Sequence, residues 1–398
     1  MGCFFLKGAG PLINPWLRQR LFEFPIRPVL VEVQPEVLEN VLGSFLGRGL
    51  AVRNVVRRFS MIGLIAVPSK LIPAIDALPG VRAVHADLQI NALQLPAAPD
   101  QALWYPTSES RQALEADLAF KQGWTGEAVR LGVVDTGIDP THQQLVGSEW
   151  DSAITFPFRE VLDENGHGSH VSSTAAGKLA FTDVGIFAEG VSRAAIYSVK
   201  ALGRGVGTGF TSEVVNAMAM ALERGAQVVN MSLGSKECQG GCEMCPECRA
   251  VKRLSERGVL VAVAAGNSGP EPDTIGCPGC VEEAITVAAV DRDGRVADFS
   301  SRGGSRFPNK PDVAAPGVNI YSGTARASLV DAGDPDAGFG YAAISGTSMA
   351  TPHVAGLLAL LKHRNPAMTE RDFKGSVRQR GGPFNNSTGW GVPRWSWF

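Results

Sequence analysis

Two kinds of hydrophobic spacing alternate along the N-terminal part of the chain. Apolar or alternating runs typical of strands are “VLVEVQ”, “AVRNVVRRF”, “MIGLIAVP” and “VRAVHADLQI”. Between them, “PEVLENVLGSFL” and “SKLIPAIDAL” repeat their apolar residues at helical spacing, each with a proline near its start. The hydrophobic pattern therefore predicts strands and helices in the order β-α-β-β-α-β.

That order is the ferredoxin-like split pattern of a small α+β domain. We expect this domain to span residues 28–92, after an N-terminal extension over residues 1–27. The next stretch, “NALQLPAAPDQALWYPTSES”, contains proline, alanine and serine without periodicity. It predicts a linker over residues 93–110.

The pattern changes at about Arg111. Helical segments such as “TSEVVNAMAMALERG” now alternate with near-continuous apolar runs, namely “VRLGVV”, “AAIYSVKAL”, “AQVVNMSL”, “VLVAVAA” and “AITVAAV”. Such runs predict a parallel sheet with helices on both faces, a three-layer α/β domain over residues 111–398. Ligand sites in these sheets lie beyond the carboxyl ends of the strands, so polar residues that directly follow the runs are functional candidates.

Composition narrows the partners and the location. The 398 residues carry a formal net charge of -2, and Lys and Arg form no basic stripe, so we expect no nucleic-acid partner. No apolar run is long enough to span a bilayer, so we expect no membrane partner. The first residues lack the pattern of a signal peptide. We therefore expect a cytoplasmic protein, with secretion by another route left open.

Four polar signatures follow the apolar runs. “GVVDTGID” places Asp135 directly after a strand, and “DENGHGSHVSS” places His167 between glycines at the start of a helix. “VAAGNSGP” leaves Asn267 at a strand end, and “SGTSMATPHVAGLLALL” places Ser348 in a turn that opens an apolar helix. A serine hydroxyl needs a base within hydrogen-bond reach to become a nucleophile. Each signature alone is equally consistent with a turn or loop residue, so the prediction depends on all four together.

In the order Asp, His, Asn, Ser, these signatures closely resemble those of the subtilisin-like serine peptidases, over about Arg111 to Val392. The resemblance implies a subtilisin-like sheet and a triad in which Ser348 attacks, His167 accepts its proton and Asp135 orients the imidazole. It also implies an oxyanion hole made by the Asn267 amide and backbone N–H groups at the start of the serine helix.

The same resemblance implies how substrate and propeptide bind. In this family an extended peptide pairs with exposed backbone on both sides, and a pocket receives the side chain before the cut. The matching residues are Gly207, Thr208 and Gly209, then Ser232, Leu233 and Gly234, with Ala264, Ala265 and Gly266 lining the pocket. The N-terminal domain is similar to the family's pro-domains, which assist folding and block the cleft. We therefore expect a zymogen, with polypeptide substrates and its own pro-domain as partners.

Two departures from the family concern calcium. Many relatives bind calcium through an aspartate in “HPDL”, whereas this chain has “HQQL” with Gln144 at that place. The loop after the helix of the catalytic histidine is replaced by “KLAFTDVGIFAEG”. Because a hard cation prefers several carboxylate oxygens, we do not expect the high-affinity calcium site of the family. The chemistry itself is expected to require no cofactor.

Six of the seven cysteines fall in two groups, “SKECQGGCEMCPECRAV” and “CPGC”. Each group continues from one wall of the predicted pocket, so we expect the two groups to be neighbours. The C-P-x-C turns Cys245/Cys248 and Cys277/Cys280 have a spacing suited to tetrahedral zinc. A structural zinc ion, disulfide bonds, and free thiols or an iron–sulfur cluster are the alternatives.

The other two cysteines of the first group, Cys238 and Cys242, are either alternative ligands or a separate pair. Taken together, the sequence predicts a serine endopeptidase that is made as a zymogen. Two other functions stay open, a catalytically silent peptide-binding protein on the same fold and a protease regulated through its thiols or a metal.

Overall fold

The structure is a computed structural model. It describes residues 13–20, 26–93, 103–154, 161–182, 185–203, 207–236, 238, 241–326 and 340–398. Most of the predicted linker, residues 94–102, and much of the predicted N-terminal extension lie outside these residues. No helix among the described residues is long and apolar enough to cross a membrane.

The N-terminal unit contains a four-stranded antiparallel sheet in the order β2-β3-β1-β4. Its elements are α1 (Pro15–Gln19), β1 (Ile26–Val33), α2 (Leu38–Gly47), β2 (Val52–Val56), β3 (Met61–Pro68), α3 (Ile72–Asp76) and β4 (Val81–Ala86), with 3₁₀ turns at Pro35–Val37, Arg57–Phe59 and Ser69–Leu71. The β-α-β-β-α-β order of the hydrophobic pattern is present in these elements.

The last predicted strand of this unit is divided into two strands. β4 ends at Ala86, and a separate strand, β5 (Gln89–Ala92), pairs outside the four-stranded sheet. The division occurs at Asp87, whose carboxylate accepts hydrogen bonds from the amide and hydroxyl of Ser212, both at 2.7 Å. The apolar run alone contains no sign of this break, because its cause is a contact with a distant helix.

The larger domain is built on a seven-stranded parallel sheet in the order β17-β16-β15-β13-β7-β11-β8. Its strands are β7 (Arg130–Asp135), β8 (Glu149–Ser152), β11 (Ala195–Lys200), β13 (Val228–Met231), β15 (Leu260–Ala264), β16 (Ile285–Val290) and β17 (Val313–Pro316). The long helices are α6 (His167–Ala176), α7 (Thr211–Glu223), α8 (Pro246–Ser255), α9 (Thr347–Arg364) and α10 (Glu370–Arg380). The predicted three-layer α/β fold is confirmed.

The two faces of this sheet are covered by different helices. Leu131 and Val133 of β7 share a core with residues of α6 and α9, whereas Val134 lies in a second core with residues of α7 and α8. Both sides of each central strand are therefore removed from water, which explains the near-continuous apolar runs in the sequence.

Shorter elements complete the domain. They are β6 (Tyr105–Pro106), α4 (Thr107–Ser110), α5 (Ala116–Lys121), β9 (Ala180–Phe181), β10 (Phe187–Ala188), β12 (Thr208–Phe210), β14 (Leu233–Gly234), β18 (Ile320–Gly323) and β19 (Tyr341–Ile344), with 3₁₀ turns at Arg111–Leu114 and Trp395–Trp397. β6 pairs in parallel with β18, so residues 105–110, predicted as linker, are ordered elements packed on the larger domain.

Alternate residues of the N-terminal sheet face different neighbours. Val29, Val31 and Val33 of β1 pack against the helices of their own unit. Leu30, between them, belongs to the core that includes α7 and α8 of the larger domain. The sheet is thus buried on both faces, and its second face packs against the larger domain.

Gln144 stands where the calcium-binding aspartate of many relatives lies. It is 1% exposed, and its side-chain amide forms hydrogen bonds with backbone groups. Its amide nitrogen donates to the carbonyl oxygens of Lys178 (3.0 Å) and Ala188 (3.2 Å), and its Oε1 accepts from Gly323 N at 3.0 Å. One neutral side chain therefore ties three backbone segments together.

We expect Gln144→Ala to lower the free energy of unfolding by about 2 kcal/mol or more, because three buried backbone groups lose their partner. Gln144→Glu should cost more, since it sets a carboxylate against two carbonyl oxygens. Denaturant unfolding measures both changes. The exposed Gln34, whose side chain makes no capping hydrogen bond, serves as control, and Gln34→Ala should stay within about 0.5 kcal/mol of the parent. Equal stability of all four proteins would contradict this role.

Candidate active site

The three predicted triad residues occupy element ends on one side of the large sheet. Asp135 is the last residue of β7, His167 is the first residue of α6, and Ser348 is the second residue of α9. All three are fully buried. The parallel register brings strand ends and the following helix starts to one edge, as predicted for a site in such a sheet.

Asp135 and His167 are joined by a short hydrogen bond. The distance between Asp135 Oδ1 and His167 Nδ1 is 2.6 Å, and the same carboxylate oxygen accepts from Thr136 N at 2.7 Å. The bond fixes one nitrogen of the imidazole ring. The other, Nε2, is buried and has no hydrogen-bond partner among the described residues.

Asp163, which the sequence analysis did not select, organises the loop before His167. Its Oδ1 accepts from Thr136 Oγ1 (2.9 Å) and Gly166 N (2.8 Å), and its Oδ2 accepts from the amide and hydroxyl of Ser169 (2.9 and 2.7 Å). It therefore couples the turn after β7 to the first turn of α6. The sequence did contain a signal for this role, because Asp163 comes shortly before the start of a predicted helix and carboxylates there accept from the free N–H groups of the first turn.

Ser348 is held against the loop that follows β13. Its hydroxyl donates to the carbonyl oxygen of Ser232 at 2.8 Å, and the Ser232 hydroxyl donates back to the carbonyl oxygen of Ser348 at 2.8 Å. Within the part of the chain that the structure describes, Ser348 and His167 do not share a hydrogen bond. The structure thus joins two members of the predicted triad and bonds the third to Ser232.

Asn267 lies close to the start of the serine helix. Its Oδ1 accepts from both the amide (3.0 Å) and the hydroxyl (2.9 Å) of Thr347, the residue before Ser348. These two bonds fix the orientation of the amide group. Its nitrogen, Nδ2, is buried without a hydrogen-bond partner among the described residues.

Strand β5 of the N-terminal unit occupies the predicted peptide-binding cleft. It pairs antiparallel with β12 on one side and with β14 on the other, with Ile90 opposite Gly209 and Ala92 opposite Leu233. The amide of Ala92 also donates to the carbonyl oxygen of Gly207 at 3.0 Å. The two stretches predicted from the sequence to pair with substrate are therefore paired with a strand of the same chain.

Close backbone approach explains the glycine at position 209. A Cβ added to Gly209 would overlap the carbonyl oxygen of Ala201, so a side chain there would displace β12. The pairing of β5 with β12 depends on the present path of that strand.

The predicted pocket residues end strand β15. Ala264 and Ala265 are buried, and Gly266 follows with φ of 107°. Ala265 O accepts from Gly276 N at 2.9 Å, which connects this wall to the second cysteine group. The other wall is connected as well, because Ser235 and Cys277 exchange two backbone hydrogen bonds of 3.0 and 2.9 Å.

Two further histidines near the site are structural. Burial lowers the pKa of His170 to about 3 and that of His353 to about 4, so both rings are neutral at physiological pH. His170 Nε2 is hydrogen-bonded to Ile320 O at 2.9 Å, and His353 Nε2 to Ser110 Oγ at 2.6 Å.

The six clustered cysteines are neighbours in space, as expected, and form a group able to hold a metal. Cys238, Cys248, Cys277 and Cys280 have Sγ atoms that all lie within 4.8 Å of one another. This set contains three of the four predicted ligands and has Cys238 in place of Cys245. The structure also joins Cys242 to Cys280 in a disulfide.

The N-terminal unit meets α7 and α8 through buried charged groups. Asp87 accepts from Ser212 at the start of α7, and Arg53 Nε lies 3.5 Å from Asp87 Oδ2. Burial raises the pKa of Asp87 to about 7, against the lowering effect of its Ser212 donors and Arg53. Glu32, fully buried, lies 2.5 Å from Arg249 and 2.6 Å from Arg253 of α8.

Comparisons with known proteins agree with this architecture. Residues 126–391 match the Peptidase_S8 model of the subtilase family. The chain is 34% identical over 326 residues to serine protease AprX of Bacillus subtilis (strain 168), covering 77% of this chain and 71% of the relative. It is 35% identical over 266 residues to subtilisin Savinase of Lederbergia lenta, covering 67% of this chain and 87% of the relative.

Among solved structures, the fold is similar to that of fervidolysin from Fervidobacterium pennivorans, a keratinolytic enzyme related to subtilisin. The TM-score is 0.75 at 22% identity, covering 94% of this chain and 60% of the fervidolysin chain. The chain therefore belongs to the subtilase family and is a subtilisin-like serine endopeptidase.

The Asp87–Ser212 contact predicts how firmly the N-terminal unit is docked. In full-length protein carrying Ser348→Ala, we expect Asp87→Ala to speed amide hydrogen exchange in β5, β12 and the first turn of α7, because Ser212 loses both acceptors. The exposed Glu36 provides the control, and Glu36→Ala should leave exchange unchanged. Identical exchange in the two variants would show that Asp87 does not hold the interface.

Proposed function

We propose that this endopeptidase cuts peptide bonds with Ser348 as nucleophile, His167 as general base and Asp135 as the group that orients the imidazole. The observation that carries the proposal is that the side chains of His167 and Asn267 are held in the same manner. His167 and Asn267 are each anchored through one polar atom and each present one buried nitrogen without a partner, Nε2 and Nδ2. A buried nitrogen without a partner is costly, and the proposed reaction gives each one a partner, the Ser348 hydroxyl for His167 Nε2 and the substrate carbonyl oxygen for Asn267 Nδ2.

In the first step, the Ser348 hydroxyl exchanges its hydrogen bond with Ser232 O for one with His167 Nε2. The hydroxyl proton passes to Nε2 as Oγ bonds to the carbonyl carbon of the substrate, and Asp135 stabilises the imidazolium ion. His167 then gives the proton to the leaving amine as the C–N bond breaks. A water molecule releases the acyl group through the same proton transfers.

The negative charge on the carbonyl oxygen is stabilised by Asn267 Nδ2 and by the backbone N–H groups at the start of α9. Preorganised donors are effective because they need no reorientation while the charge develops. The two bonds from Thr347 to Asn267 Oδ1 support this preorganisation. All of these steps use protein groups alone, so a metal at the cysteine cluster would act on the shape and stability of the cleft.

We propose further that the chain is a zymogen that cuts itself after Leu93. β5 lies between β12 and β14, as a substrate segment would. Continuing its antiparallel register places Leu93 opposite Ser232, whose carbonyl oxygen holds the Ser348 hydroxyl. A Cβ on Gly234 would lie 3.6 Å from Leu93 Cδ1, so the leucine side chain runs beside the pocket wall.

We expect Ser348→Ala to reduce kcat by a factor on the order of 10⁶, the known effect of removing the nucleophile of subtilisin. Asn267→Ala should reduce kcat roughly 10²–10³-fold, the magnitude known for the oxyanion asparagine of subtilisin, with little change in KM. Steady-state hydrolysis of a generic fluorogenic peptide measures both. Ser255→Ala, a serine change on α8 away from the cleft, is the control. Wild-type turnover by the Ser348→Ala protein would refute the assignment.

Self-processing gives a separate test. Mass spectrometry of the wild-type protein should find one fragment ending at Leu93 and another beginning at Gln94, whereas the Ser348→Ala protein should remain intact. Leu93→Asp should slow the cut by a factor on the order of 10² or more, because the carboxylate enters an apolar pocket. Gln94→Ala is the flanking control. Processing at another bond in an active enzyme would refute the Leu93 proposal and leave the triad unaffected.

A further inference from the structure

We propose that Cys238, Cys248, Cys277 and Cys280 form a tetrahedral thiolate site for one zinc ion. The Sγ separations are 3.9 Å between Cys238 and Cys248, 3.3 Å between Cys248 and Cys277, and 3.6 Å from Cys280 to both Cys238 and Cys248. Zinc–sulfur bonds of about 2.3 Å at tetrahedral angles set the sulfur atoms about 3.8 Å apart. The quartet therefore has the dimensions of a four-thiolate zinc site.

Cys245 is excluded from the ligand set by its own contacts. Its Sγ lies 2.6 Å from Cys277 Sγ, so the two sulfur atoms cannot both bind one zinc ion in this arrangement, and Cys277 is the one that lies within 4.8 Å of all three other members of the quartet. It also donates to Glu247 Oε2 at 2.9 Å, and the other oxygen of Glu247 accepts from Thr211 Oγ1 at 2.6 Å. Cys245 therefore links the cluster to α7, while the quartet holds the ion.

The surroundings of the quartet favour a closed structural site. Cys248, Cys277 and Cys280 are 0%, 3% and 8% exposed, which leaves little room for a water ligand. Cys248 lies in the first turn of the ten-residue helix α8, so a regular element fixes the position of this ligand. Four thiolates and no open position are the features of structural zinc, in contrast to catalytic zinc.

The zinc site and the disulfide between Cys242 and Cys280 exclude each other, because both use the sulfur of Cys280. The zinc-bound protein carries Cys242 and Cys280 as separate reduced residues. The two states differ in three measurable ways. The zinc-bound protein contains the metal, it has two more thiols after denaturation, and its polypeptide is heavier by two hydrogen atoms than the disulfide form.

The position of the site predicts its effect. Cys277 exchanges two backbone hydrogen bonds with Ser235, directly after β14, and the preceding Gly276 donates to Ala265 of the pocket. Cys277 and Cys280 lie on the loop after β15, and Cys238 and Cys248 lie on the segment that runs from β14 into α8, so an ion bound by all four holds both walls of the cleft together. The site depends on no step of the proposed catalysis.

The test uses full-length Ser348→Ala protein, produced with zinc in the medium and purified without chelator, so that self-cleavage does not interfere. Metal analysis should find one zinc ion per chain. After exchange, cobalt(II) should show the absorption bands of a tetrahedral thiolate site, a readout that requires no substitution at a cysteine. Removing zinc should speed hydrogen exchange at the amides of Ser235 and Cys277.

Ligand variants then test the assignment. Cys248→Ser and Cys277→Ser should each weaken zinc binding by more than the roughly 10–100-fold typical of changes outside the ligand set. The matched control Cys245→Ser should retain the ion. Protein without zinc that is two hydrogen atoms lighter, a visible iron–sulfur chromophore, or loss of zinc in Cys245→Ser but not in Cys248→Ser would each overturn the proposal.

Discussion

The parallel register of the seven-stranded sheet is the constraint on which the rest of this protein depends. Because neighbouring strands run in one direction, their carboxyl ends meet at one edge, and the polypeptide must leave every strand there. Asp135 ends β7, Asn267 follows β15, and the helices that begin with His167 and Thr347 return from the same side. Residues far apart in sequence become neighbours without any local signal that joins them.

At that edge, the side chains of His167 and Asn267 are each oriented by hydrogen bonds to one of their two polar atoms. Asp135 holds one nitrogen of His167, and Thr347 holds the oxygen of Asn267, so the opposite nitrogen of each is left without a partner in the described structure. Asp163 supports the arrangement from outside by tying the turn after β7 to α6. Under the proposed mechanism these nitrogens gain their partners during catalysis, the Ser348 hydroxyl for His167 and the substrate carbonyl oxygen for Asn267.

The N-terminal unit and the cysteine cluster act on the same cleft from different directions. β5 fills the space between β12 and β14 and gives both edges a pairing partner. The cluster is joined to both walls of the cleft through backbone hydrogen bonds, from Cys277 to Ser235 after β14 and from Gly276 to Ala265 after β15. An exposed strand edge is a site for any extended peptide, and β5 pairs there as such a peptide would.

The sequence by itself determined the periodic elements, because hydrophobic spacing records how each segment is buried. The parallel sheet, its cover of helices and the order of elements in the N-terminal unit were predictable in this way. The candidate residues Asp135, His167, Asn267 and Ser348 were identified from four short motifs and their resemblance to the subtilisin-like serine peptidases. Only the tertiary structure decided the break at Asp87, the placement of β5 between two remote loops, and the role of Asp163. It also decided which thiols are neighbours, bringing Cys238 rather than Cys245 together with Cys248, Cys277 and Cys280. These features depend on contacts between distant segments, and the spacing of residues along one segment carries no record of such contacts.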